Sequence, residues 1–290
     1  MTPPADAQHG VLLLHCPDAP GIVHAVTGVL VDQSCTIVQS GQFGSSTTGE
    51  FFMRVEFAHA DGSPLDLDAV RAAVAPVAEQ FGMTWTVADR SHRPRVVIMV
   101  SKFAHCLVDL LFRASVGELS MDVVAVVSNH PDLGRVADSY GVRFVHIPVT
   151  PDTKADAEAQ LLELVEAEGV ELVVLARYMQ ILSDGLCRAL AGRAINIHHS
   201  MLPSFKGARP YHQAHARGVK VIGATAHYVT ADLDEGPIIE QELIRVDHSY
   251  SPDDLAARGR EAESRALARA VRWHTETRIA VVGNRTVVFA

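Results

Sequence analysis

The feature that most constrains the fold is a change of hydrophobic pattern at residues 89–95. Downstream, near-continuous apolar runs of four to six residues alternate with amphipathic stretches of helical length. Such runs are buried on both faces, which implies a parallel sheet with helices on each side. The expected strands are Val96 to Val100, Val123 to Val127, Phe144 to Ile147, Leu172 to Ala176, Ala194 to Ile197 and Ala224 to Val229. Helices are expected near 104–114, 132–139, 153–168, 184–190, 208–217 and 252–275. Arg278 to Val282 and Thr286 to Phe289, joined through Gly283-Asn284, read as a terminal hairpin. A doubly wound sheet of this kind receives ligands at the carboxyl ends of its strands.

Upstream, the order is strand, helix, two strands, helix, strand. The strands are expected at Val11 to Leu14, Thr36 to Gln42, Glu50 to Phe57 and Thr84 to Val87, with helices over 20–32 and 66–81. Leu67, Val70, Val74 and Val77 keep a helical spacing. The βαββαβ order predicts a ferredoxin-like sandwich. The chain is thus α/β, with a small domain over 8–88, a polar linker over 89–94 and a mostly parallel larger domain over 95–290.

Composition removes several classes of function. A net charge of −9, with no Lys/Arg run beyond two residues, argues against a nucleic-acid partner. No window of 18 apolar residues offers a membrane span. The N-terminal stretch has neither a basic nor an apolar segment, so a cytoplasmic protein is expected. The cysteines at 16, 35, 106 and 187 lack redox or metal spacing and read as reduced thiols.

The chemistry concentrates in Ile195-Asn196-Ile197-His198-His199-Ser200. Alternate residues of a strand share a face, so Asn196 and His198 point together while Ile195 and Ile197 enter the packed layer. An amide can hold a developing oxyanion, and an imidazole can move a proton. Downstream, Asp234 supplies a carboxylate in the loop Asp234-Glu235-Gly236-Pro237. A metal hydrolase built from Asp232, Asp234, Glu235, His198 and His227 is a competing arrangement.

The segments N-x-H-x-S-x-L-P-x-F-x-G, from Asn196 to Gly207, and H-x-V-x-x-x-x-D-x-G-P, from His227 to Pro237, resemble the folate-dependent formyltransferase family. The resemblance implies that Asn196, His198 and Asp234 form the catalytic trio, with His199, Ser200 and His227 in support. It implies that Met179, Gln180, Ile181 and Leu182 wall and read a pterin ring. Gln180 stands where the family often has Arg. Lys206 reads first as a solvated lysine, with contact to the anionic tail of a substrate as the alternative.

In family members that formylate a ribonucleotide amine, the first βα turn is rich in glycine and cradles a phosphate. Here it reads Ser101-Lys102-Phe103-Ala104-His105-Cys106 and has no glycine. That turn, with Gly207 to Ala214, Gly223 to Tyr228 and Gly283 to Thr286, is similar to the hydrolytic branch of the family. The implied reaction takes 10-formyltetrahydrofolate and water to tetrahydrofolate and formate, with Ser101, Lys102 and Phe103 near the substrate. Neither a metal nor a tightly bound cofactor is implied.

Cys16-Pro17-Asp18-Ala19-Pro20-Gly21-Ile22-Val23 resembles the opening of an ACT regulatory domain. It implies an amino-acid effector at Asp18, Gly21 and Ile22 and a homo-oligomer, dimer or tetramer. Two rivals follow: a transferase acting on glycinamide ribonucleotide or another amine, and a non-catalytic amino-acid sensor.

Overall fold

A βαββαβ order in the first ninety residues and helix–strand alternation after them produce two separate sheets. In this computed structural model the described residues are 7–203 and 210–290; Phe205, Lys206 and Gly207 lie outside them. Contacts divide the chain into two units. One comprises Met1–His92, Glu276–Val282 and Val287–Ala290; the other comprises Arg93–Thr275 and Gly283–Thr286.

In the first unit, β1 (His9–Pro17), β2 (Cys35–Ser45), β3 (Glu50–His59) and β4 (Thr84–Asp89) pair antiparallel in the order β2-β3-β1-β4. Two helices, α1 (Ile22–Asp32) and α2 (Leu67–Phe81), complete the expected βαββαβ unit. Val70, Val74 and Ala78 are the buried positions of α2. They join Leu12, Leu14, Val26, Leu30, Met53 and Phe57 in one core. The Asp66 side chain caps α2 by accepting from the backbone of Asp68 and Ala69.

The C-terminal strands β12 (Ile279–Val282) and β13 (Arg285–Val288) form the expected hairpin. Most of it belongs to the first unit, whereas the sequence placed it wholly in the larger domain. The cause is a buried cation. Arg54, 2% exposed on β3, donates to the carbonyls of Glu276 and Thr277 at 3.1 and 3.0 Å. Ala280 and Phe289 also pack with Leu13 and Phe52.

The second unit carries seven strands in the order β11-β10-β9-β8-β5-β6-β7. Five are parallel: β5 (Arg95–Val100), β6 (Asp122–Ser128), β7 (Phe144–His146), β8 (Leu172–Leu175) and β9 (Ala194–His198). β10 (Val221–Tyr228) runs antiparallel to β9, and β11 (Ile238–Arg245) runs antiparallel to β10. The edge strand β11 was not anticipated, because Glu240, Gln241 and Glu242 interrupt any apolar run. The helices are α3 (His105–Ser115), α4 (Gly134–Ser139), α5 (Lys154–Ala167), α6 (Asp184–Ala189), α7 (Pro210–Ala216) and α8 (Pro252–Thr275). Among the described residues, no helix is long and apolar enough to cross a membrane.

Candidate active site

The carboxyl ends of β5, β8 and β9 open into one cleft of about 710 Å³ in the second unit. This is where a doubly wound sheet exposes backbone amides and loop side chains to a ligand. Asn196 and His198 reach it from β9, as strand alternation predicts, while Ile195 and Ile197 are buried.

Asp234 meets them from the loop between β10 and β11. Its backbone is left-handed, with φ of 57°. Two residues on, Gly236 is required by contact: a Cβ there would lie 1.8 Å from the Tyr228 carbonyl oxygen. The loop therefore folds back tightly on β10 and turns the carboxylate inward. His198 Nδ1 stands 3.2 Å from Asp234 Oδ2. That pairing puts the Nδ1 proton on the carboxylate side and leaves Nε2 as the free ring nitrogen. Nε2 is buried and has no hydrogen-bond partner among the described residues. Burial pushes the Asp234 carboxyl up, but the hydrogen bond from His198 and the nearby imidazoles outweigh it, so Asp234 stays below the usual carboxylate range.

His227 lies opposite Asn196 in the β9–β10 ladder. Its Nδ1 donates to the Tyr228 carbonyl at 2.9 Å, so Nε2 carries a lone pair. Asn196 Nδ2 donates to that nitrogen at 3.2 Å. The same bond fixes which end of the Asn196 amide is nitrogen and leaves its second N–H without a partner among the described residues. Asp234 Oδ1 is 3.8 Å from His227, beyond a hydrogen bond. His227 thus holds the amide rather than the carboxylate. Two residues away on the same face, the buried Thr225 hydroxyl donates to the Ser200 carbonyl and accepts from Leu202 N and Gln241 Nε2. It pins the turn that follows His198. Ser200 is itself buried.

His199 sits 5.1 Å from His198, ring centroid to ring centroid. Burial, then the Arg177 charge, pushes its pKa down to about 4, so it is neutral at neutral pH.

The apolar wall comes from Met179, Ile181 and Leu182, with Gln180 beside them and Leu233 and Phe103 across the cleft. Met179 and Ile181 are 52% and 61% exposed and present apolar surface to the cleft. Ser101 and Lys102 do not line the cleft. The Ser101 hydroxyl is buried, donates to Asn129 at 2.7 Å and accepts from Met179 N at 2.9 Å. It shapes the wall from behind, and Lys102 is exposed.

Sequence reasoning missed a polar cluster at the far side. Glu263 on α8 is 1% exposed and accepts from His105 Nε2 at 2.7 Å and from Tyr211 Oη at 2.8 Å. Arg177 Nε stands 3.4 Å from the same carboxylate. Burial pushes Glu263 up, but the His105 hydrogen bond and the Arg177 charge outweigh it and lower it overall. Among the described residues, the one compact set of potential metal ligands is His105, Cys106 and Glu263, within 4.8 Å of one another. It suits a cation poorly, since Arg177 already faces Glu263 and burial pushes the Cys106 thiol up. Asp232, Asp234, Glu235, His198 and His227 do not form such a set.

Three desolvated imidazoles, His227 buried and His199 and His274 half-buried, make the fold acid-sensitive. Burial lowers His199 and His274 to about 4 and lowers His227 as well. The unfolded chain takes up these protons near pH 6.5, well before the folded one. Their contribution to stability is therefore complete above about 6.5 and is lost as pH falls through about 4. The melting temperature should hold between pH 7 and 8 and drop steadily from 6.5 to 4.5. A flat profile across that range would remove the assignment of neutral, desolvated imidazoles.

Residues 94–271 match the formyl transferase family. Over 278 residues the chain is 57% identical to the formyltetrahydrofolate deformylase of Corynebacterium sp. (strain P-1), covering 96% of this chain and 97% of that one. The crystal structure of formyltetrahydrofolate deformylase from Burkholderia mallei superposes with a TM-score of 0.92 at 55% identity, covering 98% and 100% of the two chains. Glycinamide ribonucleotide transformylase 1 from Symbiobacterium toebii covers only 70% of this chain, with a TM-score of 0.65 and 32% identity over 97% of its own length. The chain belongs to the formyltetrahydrofolate deformylase family.

Proposed function

We propose that this hydrolase cleaves 10-formyltetrahydrofolate to tetrahydrofolate and formate, with Asn196, His198 and Asp234 performing the chemistry. The observation that carries the assignment of roles is the free, buried Nε2 of His198, backed by Asp234 and next to a pre-oriented amide. Water attacks the formyl carbon and passes a proton to Nε2. Asp234 stabilises the imidazolium. The second N–H of Asn196 receives the oxyanion of the tetrahedral intermediate. The imidazolium then protonates the leaving nitrogen, the C–N bond breaks, and formate departs. The exposed apolar faces of Met179, Ile181 and Leu182 suit a flat pterin ring.

The finer reading extends to regulation and setting. The ACT-like unit pairs with a second copy, giving a homodimer or tetramer. A small amino acid binds at the turn holding Asp18, Gly21 and Ile22. Gly21 there has φ of 95° and opens α1, and Ile22 is buried. The protein works in the cytoplasm and needs neither a metal nor a tightly bound cofactor.

With no acceptor present, the protein should release one formate per 10-formyltetrahydrofolate consumed, and glycinamide ribonucleotide should neither speed the reaction nor become formylated. Asn196→Ala should lower kcat by about 10²–10³-fold, the cost of one oxyanion donor. Combined with His198→Ala, the losses should be less than additive. Stoichiometric formyl transfer to the ribonucleotide, with little formate released, would assign the chain to the transferases instead.

A further inference from the structure

Arg177 is the one residue of the cleft whose state the fold does not explain. Its side chain is 9% exposed, yet Nε and Nη1 are buried without a hydrogen-bond partner among the described residues. The nearby Glu263 carboxylate does not satisfy them: Nε lies 3.4 Å from it without hydrogen-bond alignment. Glu263 instead accepts from His105 and Tyr211. Phe103 covers the guanidinium at 5.2 Å from its ring centroid. The backbone of Arg177 is left-handed, with φ of 65°, which a side chain other than glycine adopts only when its surroundings enforce it. A strained cation with idle, desolvated donors is an unfavourable element of an empty fold. It is a favourable one where an anion arrives.

An anion is made here. Resting on the hydrolytic reading above, each turnover turns a neutral formyl amide into a carboxylate within a cleft already holding Asp234 and Glu263. His199 bridges the reacting centre and the arginine: its ring is 5.1 Å from His198, and the Arg177 charge helps to keep it neutral. We propose that Arg177 forms a subsite for a one-carbon carboxylate, which takes formate from the trio after the C–N bond breaks. A guanidinium gives strong charge-assisted N–H bonds to a carboxylate, and Glu263 takes neither Nε nor Nη1, which lie on different sides of the group. The enclosure by Phe103, His105 and Tyr211 selects for size. The glutamate tail of a folate, the other carboxylate in the reaction, would instead extend from the pterin wall.

The test uses the full-length protein and sodium formate. Carbon-13 formate should show saturable binding by saturation-transfer NMR with no folate present, while chloride at equal ionic strength should not displace it. Formate should act as a product inhibitor, and both Arg177→Lys and Arg177→Met should raise its inhibition constant at least tenfold. Thermal melts identify any variant that fails to fold, and the wild-type NMR result stands without one. Absence of saturable formate binding to the wild type, or equal inhibition of wild type and both folded variants, would overturn the subsite. A rise in KM for 10-formyltetrahydrofolate with unchanged formate inhibition would overturn it in favour of the folate tail. Formate bound at Arg177 by a protein that releases none from 10-formyltetrahydrofolate would support the subsite while removing the hydrolytic reading.

Discussion

Asp234→Asn should lower kcat on the order of 10²–10⁴-fold, the range for a positioned acid–base group, and leave KM nearly unchanged. The carboxylate does three things that an amide does not. It accepts the His198 Nδ1 proton at 3.2 Å and so keeps Nε2 free for the proton of water. It stabilises the imidazolium that forms when that proton arrives. Being held below the usual carboxylate range, it is also ionised throughout the working pH range. An asparagine turned the wrong way would accept a proton from neither ring nitrogen and would favour the opposite tautomer. The apolar wall that carries the pterin lies elsewhere in the cleft, so substrate binding should survive. Steady-state kinetics with stoichiometric formate detection gives the answer. Retention of more than a tenth of wild-type kcat would remove Asp234 from the trio.

Glu263→Ala should cost about 3–5 kcal/mol of stability, the penalty for breaking a buried ion pair by removing one partner. The carboxylate is 1% exposed, accepts from His105 and Tyr211, and balances the Arg177 charge from 3.4 Å without a hydrogen bond. Its loss leaves a buried guanidinium, an imidazole and a phenol facing a cavity. Adding Arg177→Met should recover part of the loss, because the uncompensated charge then goes too. Denaturant titrations of the single and double variants measure both terms. A single-variant cost below about 1 kcal/mol would show that water replaces the carboxylate without penalty.

Much of the larger sheet was legible because apolar runs such as Val96 to Val100 and Leu172 to Leu175 are buried on both faces, and burial of that kind leaves few alternatives. The small unit was legible from short apolar and β-rich runs, bounded by turn residues, and from the helical spacing of Val70 and Val74 in α2. What escaped was pairing direction. Ala224 to Val229 looked like one more parallel strand, yet β10 runs antiparallel to β9 and pairs with a charged edge strand. That direction creates the Asn196–His227 contact, so the support of the amide was invisible until the sheet was known. The Glu263 cluster escaped for another reason. His105 and Glu263 are 158 positions apart and meet only where α3 and α8 pack together. No local pattern marks either as a partner of the other. Arg177 follows an apolar strand, where an arginine reads as solvent-exposed; only its left-handed backbone turns it inward.

The antiparallel ladder between β9 and β10 has a consequence for how this site tolerates insertion and deletion. It sets Asn196 against His227 and His198 against Thr225. Sliding β10 by two residues would keep every side chain on its own face and every backbone bond in kind, yet Asn196 would then face Thr225 or Val229. The amide would lose the imidazole that orients it, and the sheet would look undamaged. Alignment of the reacting groups is thus stored in the pairing register of two strands. Length changes confined to a surface loop leave that register intact, whereas a single residue added inside either strand erases it.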